Sequence, residues 1–211
     1  MLKKNKYKII LTSLITLFPV LIGIEFWGRL PERMAIHFGA DGTPNGWANK
    51  VVVVFGIPAF LTIMHLLCVF ITASDPKHRN IGGKLFTMVL WIVPVISLFT
   101  TTMMYAHALG VTLDINVWCS ALIGVGFIII GNYLPKCRQN YTLGIKLPWT
   151  LADEENWNKT HRVAGWLWML CGVAFFMNIM AKSSGYLIVV MLIAVLVPTV
   201  YSFVLYLKKG K

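Results

Sequence analysis

Tyr186–Leu207 reads YLIVVMLIAVLVPTVYSFVLYL, 22 residues without a charged side chain, and is closed by Lys208, Lys209 and Lys211. About 20 predominantly apolar residues, rising 1.5 Å each as a helix, cross the roughly 30 Å hydrocarbon core of a bilayer. This stretch is long enough to do so. Working outward from it, five more runs meet the same test: Val163–Ala181, Val117–Leu134, Leu85–Ala106, Val51–Thr72 and Ile9–Phe26. The sequence therefore predicts an all-α polytopic membrane protein with six transmembrane helices. Pro19, Pro58, Pro94 and Pro198 fall inside four of the runs. Neighbouring helices can satisfy the backbone groups a proline frees, so kinked helices are expected there. The 211-residue chain is 57% hydrophobic and 13% charged, where soluble domains run about 45–50% apolar and about 25% charged.

Charge gives the runs an orientation. Of the 19 lysines and arginines, only Arg29, Arg33, Lys50 and Lys182 fall on one side if the spans alternate from the N-terminus. The eight acids divide evenly, with Glu25, Glu32, Asp41 and Asp114 on that side. The whole excess of +11 thus lies on the side of the two termini, which the positive-inside rule identifies as the cytoplasm. A net charge this basic would suit nucleic acid, but the cations come in short runs between apolar stretches. They read as topology signals, and no direct nucleic-acid contact is expected. The location implied is the bacterial cytoplasmic (inner) membrane, crossed several times.

The basic start, Met1–Lys8, resembles the opening of a secretory signal. The following run is longer than a signal's apolar core and has no small-residue cleavage site, so a retained first helix is expected. Cys68, Cys119, Cys137 and Cys171 form no C-x-x-C pair, so neither a disulfide framework nor a zinc site is predicted and no cofactor is implied. The organisation expected is a single membrane domain over 1–211. Within it lie an N-terminal helix pair with an outer loop (1–72, loop 27–50), a central pair (73–134), a cytoplasmic loop (135–162) and a C-terminal pair (163–211).

Both long connections carry structure of their own. In the outer one, LPERMAIHFGADGTPNGWANK (Leu30–Lys50), Gly39, Gly42, Pro44, Asn45 and Gly46 mark tight turns. Met34, Ile36 and Phe38 alternate with Ala35 and His37, a strand-like pattern expected to lay three apolar side chains on the helix ends. Trp47 suits an interfacial aromatic belt. Glu32, His37 and Asp41 match no metal-ligand spacing, and Glu25 with Arg29 reads as a local ion pair.

The inner connection reads GNYLPKCRQNYTLGIKLPWTLADEENWNKTHRVAG (Gly131–Gly165). Pro135 ends the fourth helix. Thr150 with Asp153 forms a capping box, predicting a helix from Leu151 with Asp153, Glu154 and Glu155 in its first turn. Glu155 with Lys159, and Trp157 with His161, stand four apart on shared faces. Trp149 and Trp157 suit an amphipathic helix at headgroup level. Asn140, Lys146, Thr150, Thr160, His161 and Arg162 form a compact polar set expected to make a cytoplasmic docking surface, and His161 is the residue type that titrates near neutral pH. No nucleophile, base and orienting group fall into a catalytic spacing.

The inner stretch closely resembles the signature of the SdpI family of bacterial immunity proteins. The outer one resembles a small domain of unknown function that often precedes it. The matching inner positions are Asn132, Pro135, Asn140, Gly144, Lys146, Pro148, Trp149, Thr150, Trp157, Thr160, His161 and Arg162. The outer ones are Leu30, Pro31, His37, Phe38, Gly42 and Lys50. The resemblance implies a multi-spanning protein, not an enzyme, that protects its producer from a secreted toxin peptide. A signalling member of the family also holds a cytoplasmic autorepressor at the membrane. Toxin or partner contacts are then expected among Asn140, Lys146, Trp149, Thr150, Trp157, Thr160, His161, Arg162, His37, Asp41 and Lys50, with membrane lipids as further partners.

Two other readings stand beside it. A membrane enzyme on a lipid or envelope substrate would use His161 or His37. A transporter would need polar groups within the spans, where the sequence offers His65, Thr100, Thr101, Thr102 and Asn178 but no deep Asp, Glu, Lys or Arg. His65 and Asn178 are expected to hydrogen-bond between helices.

Overall fold

The computed structural model describes residues 1–181 and 183–209. Lys182 and Lys211, counted above among the sided charges, lie outside them. Six helices are long and apolar enough to cross a membrane: Lys3–Glu25, Val52–Ala73, Gly83–Ala108, Ile115–Lys136, Glu154–Met180 and Gly185–Lys209. Many of their large apolar side chains are exposed, among them Leu14, Leu21, Phe60, Ile63, Leu170, Met177, Ile188 and Val195. A surface so apolar is stable against lipid and not against water. The chain forms two compact units, Met1–Ser74 with Phe86–Ile115 and Asp75–Leu85 with Asn116–Lys211. The third and fourth spans, expected as a central pair of one domain, divide between them.

The first unit contains α1 (Lys6–Glu25), strands β1 (Arg33–Phe38) and β2 (Pro44–Asn49), α2 (Ile57–Ala73) and most of α3 (Gly83–Ala108). Pro19 and Pro94 sit within continuous helices. Pro58 comes immediately after a π-helical turn, Val52–Gly56, in which the Ile57 N–H donates to the Val52 carbonyl. The widened turn precedes the ring with its missing donor, and π-turns and prolines are both sites where helices bend. Polar side chains line the packed interior. Thr12 Oγ1 and His65 Nε2 lie 3.0 Å apart, Ser97 donates to the Thr16 carbonyl and Tyr105 to the Pro19 carbonyl, and all four side chains are buried. His65 thus bridges two helices as expected. At the other end of the spans, Leu30, Met34, Val53, Val54 and Tyr105 form the unit's apolar core.

The second unit contains α4 (Ile115–Tyr133), α5 (Pro148–Ala152), α6 (Glu154–Ala181) and α7 (Ser184–Lys209). Two glycine pairs bring α4 and α6 together. A Cβ on Gly124 would stand 2.9 Å from the Gly172 carbonyl oxygen, and one on Gly131 would stand 2.8 Å from that of Gly165. Close backbone approach of this kind is how membrane helices gain dispersion contact when burial from water is no longer a driving force. Cys171, Phe175, Val190 and Ala194 fill the core between α6 and α7, where the Trp168 indole donates to the Ala194 carbonyl at 2.9 Å.

Two expectations are corrected in this unit. The inner loop helix does not begin at Leu151 and is not separate from the fifth span. Asp153 breaks the chain with extended backbone, accepts the Glu155 N–H at 3.0 Å, and caps a single helix running from Glu154 into the membrane. Among the described residues, Asn178 holds the end of its own helix and not a neighbouring one. Its Oδ1 accepts the Ser183 N–H at 3.0 Å, closing the end of α6.

Candidate functional site

The outer connection folds as an antiparallel hairpin, turning at Gly42 with a φ of +79°, a conformation glycine adopts without strain. Its register slips between Ala35, His37 and Phe38. The strict alternation expected for Met34, Ile36 and Phe38 is lost to this bulge: Met34 and Ala35 are both buried, while Ile36 is exposed. Phe38 instead meets His107 edge to face at 5.1 Å. Lys50 is 7% exposed and closes the hairpin. Its ammonium bonds Glu32 at 2.9 Å, reaches the carbonyls of Leu30 and Trp27, and lies 4.6 Å from the Trp27 ring centre.

Each polar candidate of this loop has a local partner. His37 Nδ1 contacts Asn45 Oδ1. Asp41 accepts both the N–H and the hydroxyl of Thr43, which hold its carboxyl below the usual range. Arg29 stands over the Phe26 ring at 5.5 Å in place of the expected pair with Glu25. Among the described residues, no group of three His, Cys, Asp or Glu is placed to hold a metal ion.

The inner loop is a hydrogen-bonded knot. A 3-10 turn, Leu134–Lys136, ends α4 at Pro135. Asn140, fully buried, then organises the next turn. Its Oδ1 accepts the N–H groups of Thr142 and Leu143 at 2.9 and 2.7 Å, and its Nδ2 donates to the Arg138 carbonyl at 2.8 Å. Such a side chain imitates backbone and fixes a turn. Gly144 follows with a φ of +106°, close against His161 and Trp157. The Trp157 and His161 rings stack at 4.0 Å. The indole donates to the Cys137 carbonyl at 2.7 Å. His161 Nε2 accepts the Ile145 N–H at 2.9 Å, so its Nδ1 carries the proton that meets the Trp157 carbonyl at 2.8 Å. An imidazolium here would place two donors face to face.

Thr150 Oγ1 accepts the Leu147 N–H and donates to the Ile145 carbonyl, starting the short α5. Asn156 and Trp149 tie the knot to Ser202 on α7, and Thr160 donates to Asn156 Oδ1. Burial pushes the Cys137 thiol up, with an opposing hydrogen bond from Asn140.

The expected docking surface is thus largely an interior. Asn140, Thr150, Trp157, Thr160 and His161 are each at most 1% exposed, and Trp157 is no headgroup anchor. Lys146 and Arg162 are exposed, and Trp149 is half-buried against Phe203 and Tyr206. Sequence reasoning missed the connection after α2. Asp75 accepts the Tyr141 N–H at 2.9 Å and the Thr142 hydroxyl at 2.6 Å, Asn80 donates to the Gln139 carbonyl at 2.7 Å, and Lys77 donates to Gln139 Oε1. The Asp75-Pro76 dipeptide marks a turn, but nothing local says what the turn holds.

These features define a class: a six-span helical membrane protein with a clamped hairpin on one connection and a buried polar knot on another. The knot and the last two helices match the SdpI/YfhL protein family over residues 136–202, and residues 14–62, with the hairpin, match a domain of unknown function, DUF1648. The chain is thus similar to the SdpI/YfhL family over its later part and to DUF1648 over its earlier part. It is 28% identical over 203 residues to the immunity protein SdpI of Bacillus subtilis (strain 168), covering 95% of this chain and 93% of that one. No solved structure matches the chain.

Proposed function

We propose that this is an integral membrane immunity protein that protects the bacterium making it from a secreted toxin peptide. The observation that carries this reading is the similarity to immunity protein SdpI along 95% of the chain, through both matched segments. The positive-inside charge pattern supports a place in the cytoplasmic membrane with both termini inside. The outer hairpin would then meet the toxin. Its exposed Ile36 and Trp47 offer an apolar contact and His37 and Asp41 a polar rim, with Lys50 holding it in shape.

On the inner face, Asn140, Thr150, Trp157, Thr160 and His161 preserve the form of the knot, and Trp149 secures it to α7. Lys146 and Arg162 are the cations available to a cytoplasmic partner, and relay to an autorepressor would run through them. An enzymatic role for His161 is disfavoured because both ring nitrogens are committed to backbone partners.

The test is survival of a toxin-sensitive strain challenged with the secreted toxin peptide that immunity protein SdpI counters. Wild type is compared with a variant of residues 140–162 matched for membrane level. Protection by the wild type that is lost in the variant is the expected result. A correctly inserted wild type that gives no protection would overturn immunity against that toxin.

A further inference from the structure

Two connections of the second unit, Asp75–Leu85 and residues 136–142, are stapled together by side-chain hydrogen bonds spanning 59 to 67 positions of sequence. The staple holds the segment carrying Lys77, Arg79 and Lys84 against the one carrying Lys136 and Arg138, and all but the half-buried Lys77 are exposed. The acid within these segments is Asp75, which is 3% exposed and spends both oxygens on Lys77 N–H, Tyr141 N–H and the Thr142 hydroxyl. At the start of α6, Asp153 pairs with Lys209 at 2.9 Å and Glu155 with Lys159 at 2.7 Å, while Glu154 lies outside both segments. The face is therefore basic without internal compensation.

We infer that this face binds the phosphodiester headgroups of anionic phospholipids in the leaflet beside it. Depth favours a lipid over a soluble acidic protein. Lys84 is the second residue of α3 and Lys136 the last residue of the fourth span, so each lies within about 3 Å of axial rise from a helix end. That is the level of lipid phosphate. Lys136 and Lys77 each stand 5.4 Å from a tyrosine ring centre, Tyr133 and Tyr141 respectively, an amphipathic pairing suited to the interface. Basic groups at this level gain about fivefold in affinity per cation from an anionic surface.

The full chain in nanodiscs of equimolar phosphatidylcholine and phosphatidylglycerol tests this, with retained lipids counted by native mass spectrometry. Wild type should keep phosphatidylglycerol in preference. Arg79→Gln with Arg138→Gln, both at exposed positions, should lower that retention about fivefold per cation. Arg79→Lys with Arg138→Lys should restore it, and Lys208→Gln, off this face, should leave it unchanged. Equal retention of the two lipids by wild type, or the same loss in Lys208→Gln as in the double variant, overturns the inference. A double variant that keeps phosphatidylglycerol but loses binding of a poly-glutamate peptide assigns the face to an acidic protein and also overturns it.

Discussion

A Cβ added to Gly144 would stand 2.3 Å from His161 Nε2 and 3.0 Å from the Trp157 ring, on a backbone whose φ is +106°. Strain and overlap act together, so Gly144→Ala should cost about 1–3 kcal/mol. The loss would be read as a lower unfolding temperature in detergent, followed by tryptophan fluorescence. Asn140→Ala should have a comparable cost. It strips acceptors from two backbone N–H groups inside the knot, and a buried donor left unsatisfied costs about 1–3 kcal/mol. Asn140→Asp, which keeps the accepting oxygen, should lose less than the alanine variant in the same assay. At this scale the sequence was partly readable. The four-residue step from Trp157 to His161 places them on one face, and they do stack. Their burial was not readable, because the cover is a turn set by Asn140 and Gly144, more than a dozen residues earlier and outside any helical period.

The start of α6 shows what periodicity can and cannot tell. Hydropathy places the fifth span at Val163, because Glu154–Arg162 is polar, but the helix is set by its cap and begins at Glu154. Asp153→Ala should therefore destabilise by about 1 kcal/mol through loss of the cap, and Asp153→Asn by less, since the amide still accepts the Glu155 N–H. The hydrogen bond from Lys209 is the largest cause holding the Asp153 carboxyl below its ordinary value. With a depressed folded pKa, its stabilisation is present above the usual carboxylate range and is lost as pH falls through the depressed value. Thermal stability should thus show no Asp153 contribution to its pH dependence between pH 6 and 8. Chemical unfolding followed across pH 2–8 in wild type and Asp153→Asn measures this directly. The glycine pairs between α4 and α6 make a second element-scale prediction. Gly165→Ala, whose Cβ would meet Pro135 at 2.5 Å and the Gly131 carbonyl at 2.8 Å, should lower the unfolding temperature. Gly126→Ala, with nothing within 4 Å, should not.

For the whole molecule, the asymmetry of charge predicts which connections face the cytoplasm. In a background without the four native cysteines, Asn49→Cys should react with an impermeant maleimide in intact cells, and Arg138→Cys only after lysis. The reverse pattern would invert the topology. Six spans were legible in the sequence because lipid imposes one length on every helix. The division into two units was not, because it depends on the pairing of Asp75–Leu85 with residues far along the chain.

That pairing also has a consequence for synthesis. Lys77 leaves the ribosome 62 residues before Gln139, the residue that will hold it. At about 5–20 residues per second, this segment waits roughly 3–12 s with only the local Lys77 N–H on its Asp75 carboxylate, before Tyr141 and Thr142 arrive to bond the other oxygen. A pause or premature stop in this interval leaves a nascent chain whose early helices are made and whose Asp75 turn still lacks its distant partners. Docking of this connection is therefore necessarily late: it must follow synthesis of residues 139–142, however early its own helices form.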